Sequence, residues 1–318
     1  MVKISLSYVC LSNSLMVGEV QNCLPIHNAW YTGTLVRKLL VPGAAGLGVT
    51  QLTEETTKIA PSQLKTSTMT SGSSHDSLKE YESAHTVLVS GASGFIGSFL
   101  CEQLEKAGYS VVKLDIRDAT NPCDLTDVTA VENWFKLTKN KYHDAFALIN
   151  CVGIPDVAGG QSITDITDVS SETFLTHLKV NLESVFTLMR EFVRYYRSSA
   201  QHIINMSSLY SVVAPRLDLY DGHIKHPGYI ASKTGLVGLS KYCAVLCAKD
   251  NIKVNCIAPG AVAETTGVQG DFLEKYKLNV PLHRPIPLQE CANAVIFLLS
   301  TKNVTGSNLV IDGGYSLW

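Results

Sequence analysis

From Thr86 onward, short apolar runs alternate with longer stretches in which apolar residues return at helical spacing. Val87-Leu88-Val89, Ser110–Leu114, Ala147–Cys151, His202–Met206, Lys253–Ile257 and Asn308–Ile311 read as strands. They lack the in/out alternation of a half-solvated strand, so they suit a parallel sheet covered on both faces. Ile96, Phe99, Leu100, Leu104 and Ala107 recur at helical period after the first run and stop at Gly108. Asp127–Leu137, Tyr229–Lys249 and Gln289–Ser300 read as further helices. Ser171–Arg197 reads as one long helix carrying Leu175, Leu178, Leu182, Phe186, Met189 and Phe192. Strands alternating with helices of this length predict an α/β fold, a doubly wound parallel sheet in a single domain. No repeat at solenoid period is visible.

Residues 1–85 do not share this pattern and read as an appended N-terminal extension, disordered or targeting, ahead of a domain at 86–318. The apolar stretch Ile4–Val17 is broken by Ser5, Ser7, Ser12, Asn13 and Ser14, and no Ala-x-Ala-like cleavage site follows. Thr50–Ser83 is rich in Ser, Thr, Lys and Glu without sustained period, the composition of a disordered linker. Glu19 is the lone acid of the first fifty residues, against Lys3, Arg37 and Lys38, which allows an organellar transit peptide. An extension with no address is the other reading, and it leaves the protein in the cytoplasm.

The net charge of -2 gives no electrostatic reason to expect nucleic acid or an anionic membrane as partner. The nine cysteines contain no Cys-x-x-Cys pair and no Cys/His cluster at zinc spacing, so no metal is expected and the thiols read as reduced. Cys243 and Cys247 fall on one helical face as small packing residues. No apolar run reaches the eighteen or so residues that a membrane-spanning helix needs.

Candidate chemistry begins where the first strand ends. Gly91, Gly94 and Gly97 follow it at three-residue spacing and lead into a helix. Such glycines allow a tight turn and close backbone approach, and the helix N-terminus turns free N–H groups toward a pyrophosphate. Asp115, at the end of the second strand, is placed to accept hydrogen bonds from the ribose hydroxyls of a dinucleotide. That carboxylate favours NAD over NADP; Arg117, two residues on, keeps NADP possible because a guanidinium accommodates a 2′-phosphate. Tyr229 and Lys233 stand four apart on a helix, which puts phenol and ammonium on one face. A phenol of ordinary pKa near 10 is a poor base at neutral pH, and a neighbouring cation stabilises its phenolate. Ser207 and Ser208 follow a strand at the sheet edge where ligands bind.

These features together resemble the short-chain dehydrogenase/reductase family over Thr86–Trp318. The resemblance is carried by Ser90-Gly91-Ala92-Ser93-Gly94-Phe95-Ile96-Gly97, Asp124-Leu125, Asn150-Cys151-Val152-Gly153, Asn181, Ser208, Tyr229/Lys233, Pro259-Gly260 and Asp312-Gly313-Gly314. It implies a Rossmann-like domain that transfers hydride between a nicotinamide and an alcohol/carbonyl substrate, with Tyr229 as general acid/base. It implies that Lys233 lowers the Tyr229 pKa and holds the nicotinamide ribose, that Ser208 polarises the carbonyl, and that Asn181 anchors a water in a proton relay. Ser207 competes for the serine role. For the cofactor it implies the turn Gly91, Ser93, Gly94, Phe95, Ile96 and Gly97, then Asp115, adenine contact at Asp124 with Leu125 beside it, a cleft shaped by Asn150 and Gly153, Tyr229 and Lys233, and Pro259, Gly260 and Val262, the last offering backbone to the nicotinamide amide.

Four positions depart from the family pattern. The glycines read Gly-x-x-Gly-x-x-Gly, as in the extended epimerase-like branch, where the classical branch has Gly-x-x-x-Gly-x-Gly. Asn-Cys-Val-Gly replaces Asn-Asn-Ala-Gly, and Glu264 stands where a threonine often meets the cofactor. The Ser208–Tyr229 interval is long and polar, with Arg216, Asp218, Asp221, His223, Lys225 and His226, which suggests an enlarged loop over the substrate site. That loop and the ending Asp312–Trp318 resemble bacterial relatives linked to surface sugars, which points to a sugar or polyol derivative. A sugar epimerase or dehydratase and a non-catalytic dinucleotide-binding regulator stay open beside the dehydrogenase. The resemblance also implies a homodimer or homotetramer, because the helix from Tyr229 is apolar around most of its circumference.

Overall fold

The computed structural model describes residues 2–9, 15–22, 85–119, 122–155, 163–264 and 271–317. It divides into two units, residues 1–72 and 73–318. In the first, β1 (Val2–Val9) and β2 (Leu15–Asn22) pair antiparallel, Val2 opposite Asn22 and Val9 opposite Leu15. The stretch read as a linker, 50–83, lies outside the described residues.

The second unit is organised on a six-stranded parallel sheet of order β4-β3-β5-β6-β7-β8. Its strands are β3 (Thr86–Ser90), β4 (Ser110–Leu114), β5 (Ala145–Asn150), β6 (His202–Met206), β7 (Lys253–Pro259) and β8 (Asn308–Ile311). Every residue of β3, β5, β6 and β7 is buried, which is why these runs show no polar alternation. The chain runs outward from β3 to β4, then crosses back to β5 on the other side of β3. Strand order therefore reverses between β3 and β5, and in open α/β sheets ligands bind at the carboxyl ends of such a pair. The register aligns Ser90 with Leu114 on one side and with Asn150 on the other.

Two layers of helix cover the sheet. On one face α1 (Phe95–Lys106) and α7 (Leu288–Ser300) bury Leu100, Leu104, Val295 and Leu298 against Val87, Val89, Ile204 and Ile257. On the other, α2 (Val128–Thr138), α4 (Ser184–Tyr196) and α5 (Pro227–Cys247) pack Phe135, Leu188, Phe192 and Leu236 on Leu88, Leu148, Ile203 and Val254. Strand neighbours Ile203 and Ile204 thus serve opposite cores, the period-two consequence of the pleat. Each such side chain contributes about 1.5–3 kcal/mol of burial. Asp127 caps α2, accepting from the N–H groups of Thr129 at 2.8 Å and Ala130 at 3.1 Å.

The long helix read over Ser171–Arg197 is interrupted. Regular helix α3 (Ser171–Leu178) widens over Lys179–Glu183, where the Ser184 N–H reaches back five residues to the Lys179 carbonyl, and then resumes as α4. The Val180 carbonyl, deprived of its ordinary donor, accepts instead from Ser184 Oγ at 2.5 Å. Asn181 sits at the widened turn. Helix α5 begins at Pro227, two residues before the expected start, with the ring of His226 capping Gly228 N–H at 3.0 Å. A short helix that the sequence reading passed over, α6 (Phe272–Leu278), buries Tyr276 completely. Among the described residues no helix is long and apolar enough to cross a membrane.

Candidate active site

The glycine turn is fixed by steric necessity at two of its positions. Gly91 has φ of +67°, and a Cβ there would lie 2.6 Å from Val152 N. A Cβ on Gly97 would lie 2.2 Å from the Gly91 carbonyl oxygen. No side chain caps α1 at Gly94, and its first turn holds no acid, so the N-terminus keeps its positive end for a ligand. Ser93 and Phe95 stand exposed on the rim, with Ile96 half-buried beside them. This is the donor set that a diphosphate requires.

Asp115 completes this half of the site. Its carboxylate accepts from Ser93 N–H at 3.1 Å, from Arg117 N–H at 3.0 Å and from Arg117 Nε at 3.2 Å. Burial opposes its ionisation, but the Arg117 and Ser93 hydrogen bonds outweigh burial and hold the carboxyl below its ordinary value. Arg117 is therefore engaged by the carboxylate that it competes with for cofactor choice. Asp124 closes its own turn, accepting from Thr126 N–H at 2.9 Å and Thr126 Oγ1 at 2.8 Å. The Leu125 side chain packs in the core.

Asn150 does not line the cleft directly. It is 1% exposed and belongs to a buried polar chain across the sheet. Ser90 Oγ donates to its Oδ1 at 2.9 Å, its Nδ2 donates to Asn205 Oδ1 at 2.8 Å, and Asn205 Nδ2 donates to Ser240 Oγ at 2.8 Å. Asn205 and Ser240 were passed over in the sequence, where a lone polar residue inside an apolar strand or helix was the available signal. Three residues past β5, Gly153 brings the backbone against the second half of the site. A Cβ there would stand 3.3 Å from Asn181 Oδ1 and 3.4 Å from Lys233 Nζ.

Asn181, wholly buried, accepts from Ile154 N–H at 2.8 Å and donates to Ser232 Oγ at 3.1 Å. The widened helical turn thereby ties the β5 exit to α5. Lys233 is 6% exposed and donates to the Met206 carbonyl at 2.8 Å. Burial lowers its ammonium pKa to about 8. Its Nζ lies 6.0 Å from the centroid of the Tyr229 ring, so the helical pair is brought together as the spacing predicts. The two serines take different roles. Ser207 Oγ donates to the Lys233 carbonyl at 3.1 Å, while Ser208 Oγ accepts the Tyr210 N–H at 3.2 Å and keeps its own proton to give elsewhere.

Beyond β7, Gly260 N–H bonds the Ile311 carbonyl at 2.8 Å, and Val262 forms an isolated parallel bridge with Ile286. Ala261 carbonyl and Ala263 N–H bond Ile286, so the alternation of a strand turns the Val262 N–H and carbonyl the other way. Glu264 accepts the Leu288 N–H at 3.1 Å and caps α7, which explains an acid where the family often has threonine. Its neighbour Thr265 lies outside the described residues.

The long interval after Ser208 is half core and half surface. Tyr210 and Leu219 are buried with Tyr276 and Tyr315, and the hydroxyls of Tyr210 and Tyr220 are hydrogen-bonded. Arg216 pairs with Asp218, and Lys275 of α6 with Asp221, at the surface. His226 stacks on His177 at 4.1 Å between centroids, both buried, and packs α3 on the start of α5.

A family model described as enoyl-(acyl carrier protein) reductase matches residues 91–316. Acetoacetyl-CoA reductase from an Acinetobacter species is 30% identical over 245 residues, 71% of this chain and 96% of that protein. An NAD-dependent glycerol dehydrogenase from Listeria innocua is 30% identical over 250 residues, covering 72% and 93%. The crystal structure of a short-chain dehydrogenase from Leptospira borgpetersenii with bound NAD+ superposes with a TM-score of 0.66 at 29% identity, covering 73% of this chain and 93% of that one.

Proposed function

The chain belongs to the short-chain dehydrogenase/reductase family, and from that premise we propose that Tyr229, Lys233, Ser208 and Asn181 carry its reaction. The protein is an NAD(P)-dependent oxidoreductase that interconverts an alcohol and its carbonyl. The observation that carries the residue assignment is the Tyr229–Lys233 pair, seated at the carboxyl edge of the sheet, with Lys233 fixed by Met206 and next to Asn181 through Gly153.

NAD(P), when bound, supplies the hydride acceptor or donor. The chain supplies placement and proton transfer. In the oxidising direction the substrate hydroxyl gives its proton to the Tyr229 phenolate as the carbon-bound hydrogen leaves with its electron pair. Ser208 Oγ donates to the same substrate oxygen. Lys233 holds charge beside the ring, and Asn181 keeps the β5 exit and α5 at fixed separation. Catalysis is assigned to residues 86–318. We take the substrate to be a small polar alcohol or ketone of sugar or polyol type. The polar loop at Arg216–Lys225 and the likeness to a glycerol dehydrogenase support this. A panel of sugars, polyols, steroids and acyl ketones, followed through absorbance of the reduced nicotinamide, tests it; turnover confined to steroids or acyl ketones overturns it.

Because Arg117 is drawn onto Asp115, the enzyme should prefer NAD, with kcat/KM at least about tenfold above that for NADP, the price of placing a 2′-phosphate by a buried carboxylate. Steady-state comparison on one substrate checks this, and a preference for NADP rejects it.

Assembly follows from the outer faces of α3, α4 and α5. Leu175, Phe186, Tyr242, Val245 and Leu246 are exposed there, and a groove between the helices is lined by Leu178, Leu182, Gly235 and Leu239. A second copy of the chain across a two-fold axis buries this surface in a homodimer, or in a homotetramer built from it. Light scattering at micromolar concentration should give at least twice the chain mass, and a monomer with full activity rules it out. The seven described cysteines are all free thiols, which supports a reducing, cytoplasmic setting.

A further inference from the structure

We infer that Lys225 is a second cation acting on Tyr229, a positioning residue for the acid–base step that works alongside Lys233. The inference rests on Tyr229 being the acid/base. Lys225 and Lys233 stand four residues before and four after it. Their ammonium nitrogens lie at the same distance from its ring centroid, 6.0 Å each. The two arrive by different routes. Lys233 rises from within α5, whereas Lys225 precedes Pro227, where the helix begins, and reaches the ring from the loop. Lys225 Nζ also stands 5.0 Å from the centroid of the Tyr220 ring. An ammonium seated against two aromatic rings is attracted by both quadrupoles. Tyr220 is fixed in turn by its hydroxyl bond to Tyr210.

A cation beside a phenol stabilises the phenolate relative to the neutral form. Lys233 supplies that charge from a buried position, where its own hold on the proton is weakened to about 8. Lys225 adds charge from the half-buried loop. Among the described residues, other titratable groups near Tyr229 are His226 at the α5 cap, Tyr210 from the turn after β6, Tyr220 from the loop, and Tyr276 and Tyr315 in the same aromatic cluster. At the β5 exit the Cys151 thiol is pushed up by burial and stays neutral. The loop carboxylates Asp218 and Asp221 are paired with Arg216 and Lys275 at the surface. Among the described residues, Lys225 and Lys233 are the cations set against the ring.

The test is a pH titration of tyrosinate absorbance on the full-length protein, with the Tyr229→Phe spectrum subtracted to isolate one phenol. Lys225→Met and Lys225→Gln should each move that component up by at least about half a pH unit. Lys225→Arg should restore it, and Lys275→Met, on the neighbouring surface pair, should leave it in place. With a turnover substrate, the rising limb of kcat/KM for alcohol oxidation should move by the same amount. A component unmoved in both neutral variants overturns the inference and leaves Tyr229 as the base. A difference spectrum with no component titrating ahead of the other tyrosines overturns the base assignment as well. A loss confined to KM for acid-bearing substrates, with no change in pH profile, also overturns it and makes Lys225 a substrate-anion contact.

Discussion

Replacing Tyr229 with phenylalanine is expected to cut turnover roughly 10²–10⁴-fold while leaving cofactor affinity within about twofold, because a positioned proton donor contributes that much and nothing else is removed. The ring packs against the buried cluster that includes Leu209, Tyr210 and Leu219, packing that does not need the hydroxyl. In the proposed site the cofactor is held mainly at the other end of the cleft, at the Gly91–Gly97 turn and Asp115. The two outcomes are therefore separable. Steady-state kinetics give the first and quenching of protein fluorescence by the reduced nicotinamide gives the second. A variant that keeps more than about a tenth of the wild-type rate would mean that Ser208 or solvent moves the proton.

The second large effect belongs to Gly91→Ala. Two penalties fall on one methyl group. The positive φ costs an L-residue roughly 1–2 kcal/mol. The Cβ would also sit 2.6 Å from Val152 N and 2.8 Å from the Cys151 carbonyl carbon, so backbone must move, at a further cost of about 1–3 kcal/mol. At roughly 2–4 °C per kcal/mol for a domain of this size, Tm should drop by about 5–15 °C. Cofactor affinity should fall with it, since the strand that moves leads to Gly153, Asn181 and Lys233. Gly108 gives the control: its φ is +90°, yet a Cβ there meets nothing within 4 Å. Gly108→Ala carries the strain alone and should lose about a third to a half as much stability. Calorimetry of the two variants separates dihedral strain from collision, and equal losses would remove the close-approach argument.

The sheet and its helices were legible because their signals are local. β4, β6 and β8 run between the residues that the apolar pattern indicates, and Asp127 caps the helix it was read to begin. Tyr229 and Lys233 were legible for the same reason, since helical spacing alone puts them on one face. What escaped was set by partners distant in sequence. The widened turn at Asn181 cannot be seen in a stretch whose apolar residues keep helical period on both sides of it. There Asn181 accepts from the Ile154 N–H, a partner 27 positions earlier. Glu264 reads as a failed cofactor contact until Leu288 is placed beside it. Lys225 stands in a loop whose polarity reads as solvation, and its ring partners become visible when the fold brings Tyr220 and Tyr229 against it. Short α6 carries too few residues to show a period.

The polar chain Ser90–Asn150–Asn205–Ser240 answers a problem of alignment that the apolar strands create. Strands rich in Val, Leu, Ile and Ala look much alike after sliding two residues, because such a slide returns every side chain to its own face. Dispersion and burial discriminate poorly between the native pairing and that neighbour. The polar chain does discriminate, since its links close only when Ser90, Asn150 and Asn205 stand abreast, as the ladder sets them. A displaced strand would strand donors and acceptors that are at most 2% exposed, at about 1–3 kcal/mol apiece. Several of these together approach the roughly 5–15 kcal/mol by which a whole domain is stable. The chain thus acts as a vernier: it reads strand offset in steps of one residue and carries that reading to Ser240 on α5, the helix that bears Tyr229 and Lys233.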